Sequence, residues 1–268
     1  MKKVIAFVVV VFVAVLAVGA AMFYGNPVSK ILVTHSAEKY LQENFNDTDF
    51  EIGTVNYDFK TSGYYVRVVS PSSADSSFTI CAGLNGEIYY DSYEDNVVKK
   101  WNTAFRINDE YCNAVKNVIE TEHPIYDFNI DFGEIIFTNS DAAEDESIPA
   151  YAVDTESLEL DKVYDINEFG KKAGELTIYV YDEDVSCEKL AEILLGIRKI
   201  MDEADISFYV IDCVLEYPKP ENPEEWKDDR VEVMDFLYDD IYQEGLVDRV
   251  KESDEEAKAY YARLDEMK

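Results

Sequence analysis

The chain has 268 residues, of which 56 are acidic and 24 basic, for a formal charge of −32 at neutral pH. A surface of that sign repels phosphate backbones and anionic headgroups, which argues against a nucleic-acid partner and favours cations or basic proteins. With 20 tyrosines and 14 phenylalanines in a chain longer than one ordinary domain, two domains with apolar cores are expected, and disorder is not.

From Val4 to Tyr24 there are 21 residues without a charge. As a helix rising ~1.5 Å per residue they would span the ~30 Å core of a bilayer, so residues 1–24 are expected to form a transmembrane helix. Lys2 and Lys3 precede the run, which places the N-terminus in the cytoplasm and residues 25–268 outside it, in a single-pass membrane protein. The alternative is a secreted chain cut near residue 21, because Ala17, Gly19 and Ala21 are small enough for a processing site.

Pro27 suits a first helical position, and Val28, Ile31, Leu32, Tyr40, Leu41 and Phe45 recur near helical spacing. Two alternating stretches follow. Val55, Tyr57 and Phe59 share one face of the first, and Tyr64, Val66 and Val68 one face of the second. Phe78 and Ile80 repeat the pattern, and Asn85-Gly86 is a two-residue hairpin signal. A helix from about Glu94 to Thr121 is expected to bury Val97, Trp101, Phe105, Cys112, Val115 and Ile119. Residues 25–121 therefore read as an α+β domain of helix, antiparallel meander and helix.

His123-Pro124 marks the break to a second α+β domain, residues 122–268. Phe128, Ile130 and Phe132 alternate as in a strand, and residues 138–149 form an acidic, turn-rich loop. From ELTIYVYD to ISFYVIDCVLEY the pattern is βαβ. Its helix places Leu190, Ile193, Leu194, Ile197, Met201 and Ala204 on one face, with Asp184 or Ser186 as N-cap. RVEVMDFLY adds a strand and SDEEAKAYYARLDEM a charged helix, which together fit a ferredoxin-like arrangement, in the usual or a permuted order.

The chain has only two histidines, His35 and His123, in different expected domains, which argues against a His-based triad or a zinc site with several histidines. The G-x-S-x-G, H-E-x-x-H, P-loop and G-x-G-x-x-G motifs are absent, so no catalytic residue and no cofactor is assigned. Ser36-x-x-Lys39 and Ser186-x-x-Lys189 match a penicillin-binding pattern, but S-D-N and K-T-G partners are missing. A divalent cation remains a candidate ligand. Asp127-x-Asn129-x-Asp131 matches the first ligands of an EF-hand loop, although Thr138 stands where that loop needs a bidentate Glu. Cys81, Cys112, Cys187 and Cys213 allow one disulfide per domain, or four small buried thiols. Tyr64, Tyr65, Tyr89, Tyr90 and Tyr93 surround the meander as either a binding face or sheet packing.

The stretches YGNPVSK, AEKYLQENF, NYDFK, YYVRVVSPSS and WNTAFRINDEY resemble the YfjL-like family of membrane-anchored proteins from Gram-positive bacteria. That resemblance implies an extracytoplasmic protein and supplies no catalytic residues. The first domain is also loosely similar to PepSY-type modules, which implies a regulatory or peptidase-inhibiting role. The readings that follow are a non-enzymatic cell-envelope module binding a protein, peptide or cation; a carboxylate-based envelope hydrolase; and a passive structural spacer.

Overall fold

A computed structural model of the protein describes residues 25–119, 127–139, 148–220 and 229–266, together with Phe12 and Asn222. The class is α+β, and the described residues form two four-stranded sheets and one two-stranded sheet. The expected transmembrane helix has to be corrected. Among the described residues no helix is long and apolar enough to cross a membrane, and apart from Phe12 the run 4–24 lies outside the described residues. The first helix described in full, α1 (Pro27–Asn44), carries Lys30, His35, Glu38, Lys39 and Glu43.

The chain divides into two compact units. One comprises Met1–Thr103 with Leu158–Lys162, the other Ala104–Ser157 with Val163–Lys268. The division expected after residue 121 falls earlier, inside α2 (Trp101–Asn117). The reason is that Tyr111, Val115, Val118 and Ile119 belong to the second unit's core.

In the first unit, β1 (Glu51–Asp58), β2 (Gly63–Ser70), β3 (Ser73–Gly83) and β4 (Ile88–Asp91) form the expected antiparallel meander in chain order. The Asn85-Gly86 turn joins β3 to β4, with Gly86 at φ +82°, the left-handed region glycine supplies without strain. Asn26 caps α1, its side-chain oxygen accepting from the Ser29 amide at 2.8 Å. The buried stripe of α1 is Ser29, Val33, Ala37 and Leu41. Val28 and Ile31, expected inside, are 67% and 69% exposed. Apolar residues lie on several sides of this helix, so their spacing alone did not select the inward side. Val33, Ala37 and Leu41 pack on Tyr64, Val66, Val68, Phe78, Ile80 and Ala82.

The second unit is built on a sheet of order β10-β9-β8-β5, with β5 (Asp127–Ile135), β8 (Gly174–Tyr181), β9 (Val210–Glu216) and β10 (Arg230–Leu237). Two residue pairs, β6 (Phe137–Thr138) and β7 (Val153–Asp154), form a small parallel ladder. The βαβ unit is present as β8, α4 (Cys187–Glu203) and β9, with Ser186 as the cap. Helix α4 buries Leu190, Ile193, Leu194, Ile197 and Met201, five of the six expected residues. The ferredoxin-like expectation is corrected, because β8 and β9 are direct neighbours, whereas that fold splits its βαβ units around another strand. The short helix α3 (Ile166–Ala173) precedes β8, and α5 (Leu246–Glu266) packs on β10.

The helix expected from Glu94 to Thr121 is interrupted. A π-helical turn, Glu94–Val98, ends at Lys99 and Lys100, the latter at φ +61°, before α2 begins. Its inward residues are Ala104, Ile107, Tyr111 and Val115, while Phe105 is exposed and Cys112 half-buried.

Candidate functional site

Strand alternation sets Tyr64 on one face of the meander and Tyr65 and Tyr90 on the other, with Tyr89 in a bulge and Tyr93 just beyond β4. Tyr64 points under α1, where its hydroxyl accepts from the Asn26 amide at 3.2 Å and donates to the Asn26 carbonyl at 3.1 Å. Tyr93 joins Phe45, Phe50 and Phe78 in a cluster of rings with centroids 4.7–6.0 Å apart. These two are packing residues.

Tyr65, Tyr89 and Tyr90 lie on the opposite, open face. The register aligns Asn56, Tyr65, Cys81 and Tyr90 in one row across the four strands. A register shift between Cys81 and Ala82 accommodates Tyr89 as the extra residue of a bulge. Its phenol lies over Gly63, where an added Cβ would stand 3.2 Å from the Tyr89 hydroxyl oxygen. Tyr89 and Tyr90 are 61% and 50% exposed. Tyr90 donates to Asp95 at 3.4 Å. Partial desolvation, then the neighbouring Cys81, Tyr65 and Asp58, hold the Tyr89 phenol above its ordinary range. Arg67 is the basic side chain of this face and is exposed. The arrangement offers flat aromatic area, hydroxyl donors and a carboxylate fringe.

None of the four cysteines is bonded in this structure. Cys81 and Cys112 fall in different units, so the pairing expected within the first domain has no partner there. Burial raises the Cys81 thiol, with Asp91 adding to it, and burial pushes Cys213 up to about 12. Both are poor nucleophiles at neutral pH.

A group of residues that sequence reasoning missed sits on the second sheet, on the face away from α4. Glu175 stands directly opposite Glu134 in the antiparallel pair β5 and β8. Tyr151 donates to Glu175 at 3.2 Å. The Asp235 amide donates to Asp212 at 2.7 Å. Desolvation first, then Asp212, push the Glu175 carboxyl up to about 7, against the opposing hydrogen bond from Tyr151. In β8 the buried positions alternate with partly exposed ones and Glu175 is among the latter, but its neighbours come from β5, β9, a bulge in β10 and a loop, which no local pattern joins.

Among the described residues no group of three or more His, Cys, Asp or Glu is arranged to hold a metal ion. Asp127 and Asp131 fall within strand β5, so the EF-hand spacing there is strand alternation. Ser186 is consumed as the α4 cap, and Lys39 pairs with Glu43 on α1. His35 faces Glu38 on exposed helix surface. His123 and residues 140–147 of the acidic loop lie outside the described residues.

The meander with its helix and the following sheet with its βαβ unit correspond to a two-domain family. The YfjL-like N-terminal domain matches residues 1–92. The YfjL-like C-terminal domain matches residues 110–251, so the chain belongs to the YfjL-like family. Among solved structures, a DUF5037 family protein from Ruminococcus gnavus ATCC 29149 is similar at 14% identity, covering 69% of this chain and 74% of that one with a TM-score of 0.20. No curated protein matches the chain.

Proposed function

We propose that this YfjL-like protein is a non-enzymatic binding or regulatory module working outside the cytoplasm, and that it takes a basic segment of an envelope protein on the open face of its first sheet. The observation that carries the reading is the division of the tyrosines. Tyr64 and Tyr93 are spent on the core, while Tyr65 and Tyr90 stand on the opposite face of the sheet with Tyr89 at its bulge, and the Tyr89 and Tyr90 rings are at least half exposed. Tyrosine supplies large contact area with a hydrogen-bonding tip at little entropic cost, as protein-recognition surfaces require. The basic character of the partner follows from Asp58 and Asp95 beside the phenols and from the charge of the whole chain. Export is supported by the charge-free run that follows Lys2 and Lys3.

The test is in-cell cross-linking of the full chain, with identification of attached protein, for the native sequence and for Tyr89→Ser with Tyr90→Ser. A reproducible partner attached through a basic segment and lost in the double variant, with unchanged melting, is the expected result. Recovery unaffected by the substitutions overturns the reading.

A second reading, a carboxylate-based hydrolase, is favoured by Glu175, whose carboxyl holds its proton to about pH 7 beside Asp212. Turnover of a wall glycan, peptide or ester that vanishes in Glu175→Gln would establish it in place of the binding module.

A further inference from the structure

A cavity of about 320 Å³ opens in the second unit where the segment leading into β9 meets the end of β10. Two backbone bonds fix that junction, from the Tyr209 amide to the Gly174 carbonyl at 2.8 Å and from the Tyr238 amide to the Tyr209 carbonyl at 2.9 Å. Its apolar wall is Phe208 and Tyr238, stacked edge to face with centroids 5.1 Å apart. Tyr238 is held from two more sides. Its hydroxyl donates to Asp202 at 2.8 Å, and the Arg198 guanidinium lies 4.2 Å from its ring centroid. The wall is therefore preorganised.

The polar lining differs in kind, because two of its three charged side chains are uncommitted, Asp202 alone being held by Tyr238 and Arg198. Lys171 and Asp239 both line the cavity, and neither makes a hydrogen bond or ion pair among the described residues. The Ser207 hydroxyl is likewise unengaged, since that residue's bonds run through its backbone to Asn167 and Tyr111.

We infer that this cavity binds a small zwitterion of the amino-acid or dipeptide type, its carboxylate on Lys171, its ammonium on Asp239 and its side chain against Phe208 and Tyr238. A simple anion is disfavoured, because Asp202 and Asp239 share the lining. A metal ion is disfavoured, because no metal-holding group is present among the described residues. A purely apolar ligand would leave the lysine and the carboxylate desolvated and unpaired. The volume sits at the low end of ligand pockets, ~300–1,000 Å³, which favours one residue or two over a longer peptide. This inference is independent of the tyrosine face, which lies in the other unit.

The experiment is calorimetric titration of the full chain with glycyl-phenylalanine, with its N-acetyl and C-amide forms, and with the variants Lys171→Met and Asp239→Asn. Both side chains are exposed, so both variants are expected to melt with the native chain, which a thermal scan checks. Saturable binding is expected, weakened about tenfold by either cap and by either variant, as for one lost charged hydrogen bond. No saturable binding by the native chain overturns the inference. So does binding that both variants leave unchanged, or a loss confined to one of the two charges.

Discussion

Asp75 and Asp161 exchange hydrogen bonds across 86 positions of sequence. The Asp75 amide donates to the Asp161 carboxylate at 3.1 Å, and the Asp161 amide donates to the Asp75 carboxylate at 2.8 Å. Asp75 is 1% exposed and its carboxylate also accepts from the Thr103 hydroxyl at 2.8 Å. Asp161 sits at φ +59°, a conformation Asp and Asn tolerate best after Gly. The pair staples Leu158–Lys162 onto the first unit.

Asp75→Ala is expected to lower stability by about 2–4 kcal/mol, because it strands a buried hydroxyl and a backbone donor. Asp161→Asn keeps an acceptor and the backbone preference, and is expected to cost under about 1 kcal/mol. Urea unfolding of the two variants reads the difference. Equal, small effects would show that the staple contributes little.

Gly170→Ala is expected to be far more damaging than a helix-favouring substitution ordinarily is. An added Cβ would stand 2.2 Å from the Ser207 carbonyl oxygen and 2.8 Å from the ring of buried Tyr111. The Tyr111 hydroxyl is itself bonded to Ser207 at 2.9 Å, so neither neighbour yields cheaply. A loss of about 3 kcal/mol or more follows. Gly53→Ala, whose nearest contact would be an ordinary 3.4 Å, is the control. Similar melting of the two variants would contradict the close approach.

Glu175 carries a pH dependence of definite sign. Its folded carboxyl is raised from 4.5 to about 7, so the fold binds this proton more tightly than the unfolded chain does. The contribution is fully present below pH 4.5 and is lost as pH rises through about 7. Because the group is partly solvated, the span is discounted to about 1–2 kcal/mol. Unfolding free energies of the native chain and Glu175→Gln between pH 4.5 and 8 are expected to converge at acid pH, apart from a constant offset, and to diverge above it. Parallel curves would refute the assignment.

Tyr93→Ala and Tyr90→Ser are expected to separate the two faces of the first sheet. The former opens a hole among Phe45, Phe50 and Phe78 and is expected to cost about 2–4 kcal/mol. The latter removes a half-exposed ring and is expected to change stability by under about 0.5 kcal/mol. Matched losses would make Tyr90 a packing residue and remove the basis of the proposed surface.

What was legible in the sequence was periodicity within single elements. Tyr64, Val66 and Val68 alternate inward as their spacing indicates, and α4 buries the stripe its spacing marks. What was not legible depended on pairing or on competition. Helix α1 has apolar residues on several sides, and only the sheet selects Val33, Ala37 and Leu41. Tyr89 and Tyr90 both reach the open face because of a bulge, which strict alternation forbids. Glu175 becomes unusual only when Glu134, Asp212 and Tyr151 arrive from distant segments. The cavity beside Tyr238 likewise joins residues from α3, α4 and one end of the antiparallel β9–β10 pair.

The two bonds between Tyr64 and the backbone of Asn26 also have a mechanical meaning. Gly25 is pressed against the same ring, with room for no Cβ, since one would stand 2.5 Å from the Tyr64 hydroxyl oxygen. Tension applied to the chain ahead of Gly25 would therefore pass into β2, an interior strand held by ladders on both sides, before it could peel α1 from the sheet. The load path begins at a phenol, and Tyr64→Phe should lower the force at which the first unit yields while leaving its sheet intact.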